Sequence, residues 1–203
     1  MTEQMQVDGR PVDPVLQFTD ERLRQISAPL PESFFDSAEL HDWIARLNLS
    51  RQVYGGIGIA APQIGYFQRL VVIDIPALER PGFGQVEAVP LHALINPEIV
   101  EFSDERIRAA EGCLSVRGYE GFVVRPQRIG LVYYTPEGKR QEIEATGLYA
   151  RALQHEIDHL DGILYPDRVT AVRDMRKIEP VDENDPVLAY NRLLAKTEAA
   201  VKL

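Results

Sequence analysis

The sequence has a single cysteine, Cys113, among 203 residues. No intrachain disulfide can form, which excludes a disulfide-stapled secreted scaffold and fits a reducing compartment. Long apolar runs are also missing: none approaches the ~18 residues that a membrane-spanning helix needs. Residues 1–14 lack the apolar core of a signal peptide. They carry Glu3, Asp8 and Asp13, unlike an arginine-rich, acid-poor transit peptide. A cytoplasmic protein with no membrane partner is expected. A positive excess is absent as well. The 22 basic residues stand against 31 acidic ones, a formal charge of −9, which argues against nucleic-acid binding as the main role. Internal repeats and low-complexity tracts are absent too.

What is present suits one globular domain. Hydrophobic residues make up 45% and charged residues 26%, and folding a chain of this size buries roughly 70% of its surface. Residues 1–203 are expected to form a single domain, loose over 1–14. Leu40, Trp43, Ile44 and Leu47 recur at helical spacing and predict a helix from Ser33 to Tyr54, ended by Gly55 and Gly56. Leu70–Ile75, Leu94–Phe102 and Ile107–Ala110 read as strands, with a loop over Pro76–Pro90. Arg128–Tyr134 and Arg140–Ala145 flank Pro136-Glu137-Gly138-Lys139, a hairpin signal. A helix follows over Leu148–Leu160. Residues 172–186 are charged and linker-like, and Val187–Lys202 predicts a last helix. The expected fold is α+β: antiparallel strands around a central helix, with an N-terminal and a C-terminal helix.

The central helix carries Gln154-His155-Glu156-Ile157-Asp158-His159. Residues four apart share a helix face, so His155 and His159 can bind one metal ion, and Glu156 can move a proton of a water held there. The plain alternative is a pair of hydrogen-bonded core histidines. A glutamate directly after the first histidine, on a helix with Leu148, Ala152 and Leu160, favours the metal. A catalytic site of this type has three protein ligands. The metzincin position for the third holds Tyr165, and the downstream acids Glu179 and Glu183 lie in the linker-like stretch. Upstream, Cys113 sits where a strand enters a turn. It supplies a plausible third ligand, giving Cys-His-His, a set that suits iron or zinc.

Three segments together resemble the peptide deformylase family. They are Gly56-Ile57-Gly58-Ile59-Ala60-Ala61-Pro62-Gln63, Glu111-Gly112-Cys113-Leu114-Ser115, and the Gln154–His159 segment. Asp20-Glu21-Arg22-Leu23-Arg24 adds to the likeness. The resemblance implies that Cys113, His155 and His159 bind a divalent metal, ferrous iron in most members, with zinc, nickel or cobalt as substitutes. It implies Glu156 as general base and then acid, the Gln63 side chain and the Leu114 backbone N–H as donors to the oxyanion, and Gly58 as a backbone partner of the substrate. The implied reaction removes the formyl group from N-formylmethionyl peptides and releases formate. Ile57 is expected to line the methionine pocket. Arg125 is expected either to pair with Glu111 or to lie on the surface. Arg151 and Ala152 stand where some members carry bulkier apolar residues near that pocket. The last helix, with Arg192, Lys196 and Lys202, permits a ribosomal contact of the kind some members make. The competing readings are a His-Glu-x-x-His zinc endopeptidase and a non-catalytic metal-binding relative.

Overall fold

A computed structural model of the chain describes residues 5–7 and 9–178. The chain opens with a short hairpin, β1 (Gln6–Val7) and β2 (Arg10–Pro11), then 3-10 turns at Glu21–Arg24 and Glu32–Phe34. Helix α1 spans Ala38–Tyr54. Strand β3 (Gly58–Ala60) runs into a 3-10 turn, Ala61–Ile64. Next come β4 (Leu70–Ile75), β5 (Leu78–Arg80), β6 (Gly84–Val86), β7 (Val89–Phe102) and β8 (Arg106–Gly112). Strands β9 (Tyr119–Pro126), β10 (Arg128–Tyr134) and β11 (Arg140–Thr146) lead into α2 (Gly147–Leu160). Two 3-10 turns, Tyr165–Arg168 and Val172–Asp174, precede β12 (Met175–Lys177).

A five-stranded antiparallel sheet in the order β11-β10-β7-β4-β3 forms the centre. Alternation along β4 explains its two covered faces. Val71, Ile73 and Ile75 join the cluster around α2, while Leu70 and Val72 join the cluster around α1. A second sheet, β12-β9-β8, carries the cysteine loop at the end of β8. The fold is therefore α+β, as the sequence predicts. No helix among the described residues is long and apolar enough to cross a membrane.

Several boundaries differ from expectation for identifiable reasons. Helix α1 starts at Ala38, not Ser33, because Asp36 takes a positive φ of 55° that no α-helix accommodates. The cap is Ser37, whose hydroxyl accepts the Leu40 N–H at 3.1 Å. Gly55 ends the helix in the left-handed region. The expected loop over Pro76–Pro90 contains the β5–β6 hairpin, turned at Pro81-Gly82. Residues expected to be loose before Pro14 hold the β1–β2 hairpin, with Val12 and Asp13 buried. The linker-like stretch from Val172 supplies β12, which pairs with β9. The helix expected over Val187–Lys202 lies outside the described residues.

Candidate active site

Helix α2 is buried along nearly its whole length, yet Arg151, Gln154, His155, Glu156, Asp158 and His159 are among its buried residues. Buried polar groups need partners, and here the partners build the site. His155 Nδ1 lies 2.9 Å from Glu111 Oε2. Glu111 is clamped by two arginines: Arg125 donates at 2.6 and 2.9 Å, and Arg151 at 2.5 Å. Arg125 also donates to Asp158 Oδ2 at 2.7 Å, and Arg168 donates to both oxygens of Asp158. Burial pushes the Glu111 carboxyl up, but the hydrogen bonds from Arg125 and His155 outweigh it and hold the group well below the usual carboxylate range.

Arg125 is thus the buried partner of Glu111, one of its two expected places. The sequence places Arg151 only near the methionine pocket and assigns Arg168 no role. The signal for Arg151 is its spacing, four residues before His155 and hence on the same helix face.

Cys113 Sγ, His155 and His159 each offer one ligand atom, and these atoms lie within 4.8 Å of one another. His159 Nε2 is 3.2 Å from the sulfur. Burial, then the charge of His155, lowers the His159 pKa well below its ordinary value, so the ring is neutral. Around His155 burial acts the same way, but hydrogen bonds to Cys113 and Glu111 outweigh it and raise the pKa. A thiolate and two imidazoles are a donor set for a divalent first-row metal. A nitrogen held by Glu111 leaves the other nitrogen of His155 for the ion. The residues fit the metal. Tyr165, at the metzincin ligand position, is a packing neighbour, its ring stacked 6.1 Å from that of His155.

Beside the metal residues the side chain of Glu156 is buried, and its Oε2 has no hydrogen-bond partner among the described residues. Burial pushes its pKa up to about 7. Gly58 is required at its position by this glutamate: a Cβ there would stand 2.7 Å from Glu156 Oε1 and 2.9 Å from Ile73 Cδ1. Gln63 is fixed end to end. Its Oε1 accepts the Ala60 N–H at 2.8 Å, which turns Nε2 toward Ser115 Oγ at 3.1 Å and Cys113 Sγ at 3.7 Å. Leu114 follows the cysteine in the same loop, pinned where Gln17 Nε2 donates to its carbonyl at 3.2 Å. These groups line one cleft of about 590 Å³, whose walls include Ile57, Gly58, Gln63, Leu114 and Glu156. The cleft runs between two sheet edges, β3 on one side and β8 on the other.

A three-ligand metal cluster with a buried glutamate beside it, at the foot of a cleft between strand edges, defines a metal-dependent hydrolase. A family profile described as polypeptide deformylase matches residues 12–175. The chain is 43% identical over 156 residues to peptide deformylase 2 of Pseudomonas syringae pv. tomato, covering 77% of this chain and 86% of that one. It is 49% identical over 135 residues to the peptide deformylase of Roseiflexus castenholzii, 64% of this chain and 71% of that one. Among solved structures, the class I type b peptide deformylase of Acinetobacter baumannii with Met-Ala-Ser bound superposes with a TM-score of 0.72 at 33% identity, over 78% of this chain and 98% of that one. The Thermotoga maritima enzyme gives 0.67 at 36% identity, over 79% and 99%. The chain belongs to the peptide deformylase family. Its activity is removal of the formyl group from N-terminal formylmethionine, an amide hydrolysis.

Proposed function

We propose that Glu156 is the proton shuttle of this hydrolysis, with Cys113, His155 and His159 as metal ligands and ferrous iron as the metal. The observation that carries the first assignment is the orphaned, buried Glu156 Oε2 beside the metal residues. A divalent ion bound there would lower the pKa of a coordinated water and polarise the formyl oxygen. Glu156 takes the proton released by the attacking water and returns it to the departing amine. Gln63 Nε2 and the Leu114 N–H face the developing negative charge on the formyl oxygen. One such donor is worth roughly 3 kcal/mol in the transition state. The Ala60 N–H supports that role, because it fixes which end of the Gln63 amide points to the cysteine.

The substrate is a formylmethionyl peptide from newly made chains. The two strand edges suit an extended backbone, which adds to an open edge through main-chain hydrogen bonds. Gly58 on β3 is the backbone partner, and Ile57 lines the methionine pocket. The bound Met-Ala-Ser of the Acinetobacter relative agrees with a peptide in this place. A ribosomal contact through Arg192, Lys196 and Lys202, and a cytoplasmic location, belong to the same proposal and rest on sequence.

Formate release from a formyl-Met peptide, measured on protein purified without oxygen and checked for iron, tests the reading. Glu156→Ala is expected to lose about 10²–10⁴-fold in kcat while keeping its metal. Undiminished turnover in that variant overturns the shuttle. Loss of metal together with turnover moves Glu156 among the metal-holding residues.

A further inference from the structure

One wall of the cleft is more positive than the reaction requires. Arg80 ends β5 and lines the cleft, as does Arg151. The hairpin carrying Arg80 is anchored, since Leu78, Phe83 and Val86 pack against the cluster around α2. Arg151 lies over the Phe83 ring, 5.8 Å from its centre. Both arginines line the same cleft. After burial and the opposing pull of Glu111, the charge of Arg80 is among the causes that lower the Arg151 pKa.

Charge accounting isolates Arg80. The network behind the wall sets Arg125, Arg151 and Arg168 against Glu111 and Asp158. No carboxylate within that network is left over for Arg80, and among the described residues no side-chain hydrogen bond or ion pair involves its guanidinium. The surplus is local, because the chain as a whole carries −9. A cleft with one sign of charge and low-dielectric walls concentrates the opposite charge. A guanidinium with free donors matches a carboxylate in two-point geometry.

We propose that Arg80, with Arg151 behind it, makes this enzyme prefer formylmethionyl peptides that carry an acidic side chain in one of the first positions after the methionine. This rests on the deformylase reading and narrows its substrate class. An aspartate or glutamate entering the cleft supplies the carboxylate that Arg80 lacks.

The test compares C-terminally amidated peptides, so that no terminal carboxylate competes. Formyl-Met-Asp-Ala and formyl-Met-Ala-Asp are each set against the Asn counterpart, and the ratio of kcat/KM is read within each enzyme. The wild type is expected to favour Asp by about fivefold at low salt in at least one position, with the ratio shrinking as salt rises. Arg80→Gln brings that ratio to near one, Arg80→Glu inverts it, and Arg80→Lys keeps its direction at a smaller size, because an ammonium lacks the two-point fork. A wild-type ratio of one or below overturns the proposal, as does a ratio that Arg80→Gln leaves intact. Should Arg80→Gln fold poorly, the Arg80→Lys and Arg80→Glu pair, opposite in charge at one position, decides by the sign of the preference. Absence of formate from every peptide, the Asn ones included, is a different result and sinks the deformylase reading itself.

Discussion

Gly58 owes its identity to Glu156 packed against its Cα. Its backbone has no left-handed twist, and the residue lies in an ordinary strand. The sequence suggests room for a substrate backbone, and the structure adds that the space is already taken on one side by the glutamate. Gly58→Ala pushes a methyl into Glu156 Oε1 and Ile73 Cδ1. The expected outcome is a fall in kcat of at least about tenfold, because a displacement near 1 Å at reacting groups costs up to about 10²-fold. Bound metal is expected to stay near the wild-type level, since no ligand is touched. Kinetics with metal analysis on the same sample checks this. The metal residues were legible in the sequence because helical geometry alone aligns His155 with His159. Cys113 came from elimination and became specific only with the Gln63 and Glu156 segments beside it. Arg151 stayed unread because arginine on a helix is ordinarily a surface residue, and only the fold shows it turned inward onto Glu111.

Helix α2 was placed correctly to within one residue at its start, since Gly162 and the two histidines mark it strongly. Strand β9 was not seen. Its inward positions are Gly121, Val123 and Arg125, so the alternation that marks a strand is broken by a glycine and a charge. Those two departures have causes. A Cβ on Gly121 would stand 2.7 Å from Met175 Sδ on β12, and Arg125 reaches the carboxylates of β8 and α2. Buried ion pairs therefore tie α2 to β8 and β9, beside the backbone ladder that joins the two strands. Removing one partner of a buried ion pair costs about 3–5 kcal/mol, because the other charge is left uncompensated. Arg151→Met leaves Glu111 with Arg125 and His155 only and removes the Arg151 donor from the carbonyls of Ile107 and Val123. A loss toward the lower end of that range is expected, read as a lower urea midpoint with unchanged slope. Slower turnover is expected to accompany it, because Glu111 then orients His155 less firmly.

The whole molecule brings together residues that are far apart in the chain. Gln63 follows β3, Cys113 follows β8, and the histidines stand on the helix between the two sheets. An ion held by Cys113, His155 and His159 would cross-link α2 to the β8–β9 sheet. An ion gathered by three ligands that only folding brings together binds the folded chain more tightly, so its removal is expected to lower Tm. Melting curves of iron-loaded protein and of chelator-stripped protein, recorded without oxygen, check this. Equal midpoints would show that the three ligands contribute nothing to the docking of the sheets. The α+β class was legible because strand and helix periods are distinct along most of the chain. The pairing of strands into two sheets was not, because order within a sheet depends on contacts that no local pattern encodes.

The cleft bounded by β3 and β8 has one further consequence. Its two rims belong to separate sheets, and no strand hydrogen bonds join them among the described residues. Complete loss of the docking of the sheets therefore does not yield a less choosy catalyst. It yields a molecule with half a binding surface. A titration of active sites in a stressed sample is therefore expected to serve as a census of molecules whose two sheets are docked.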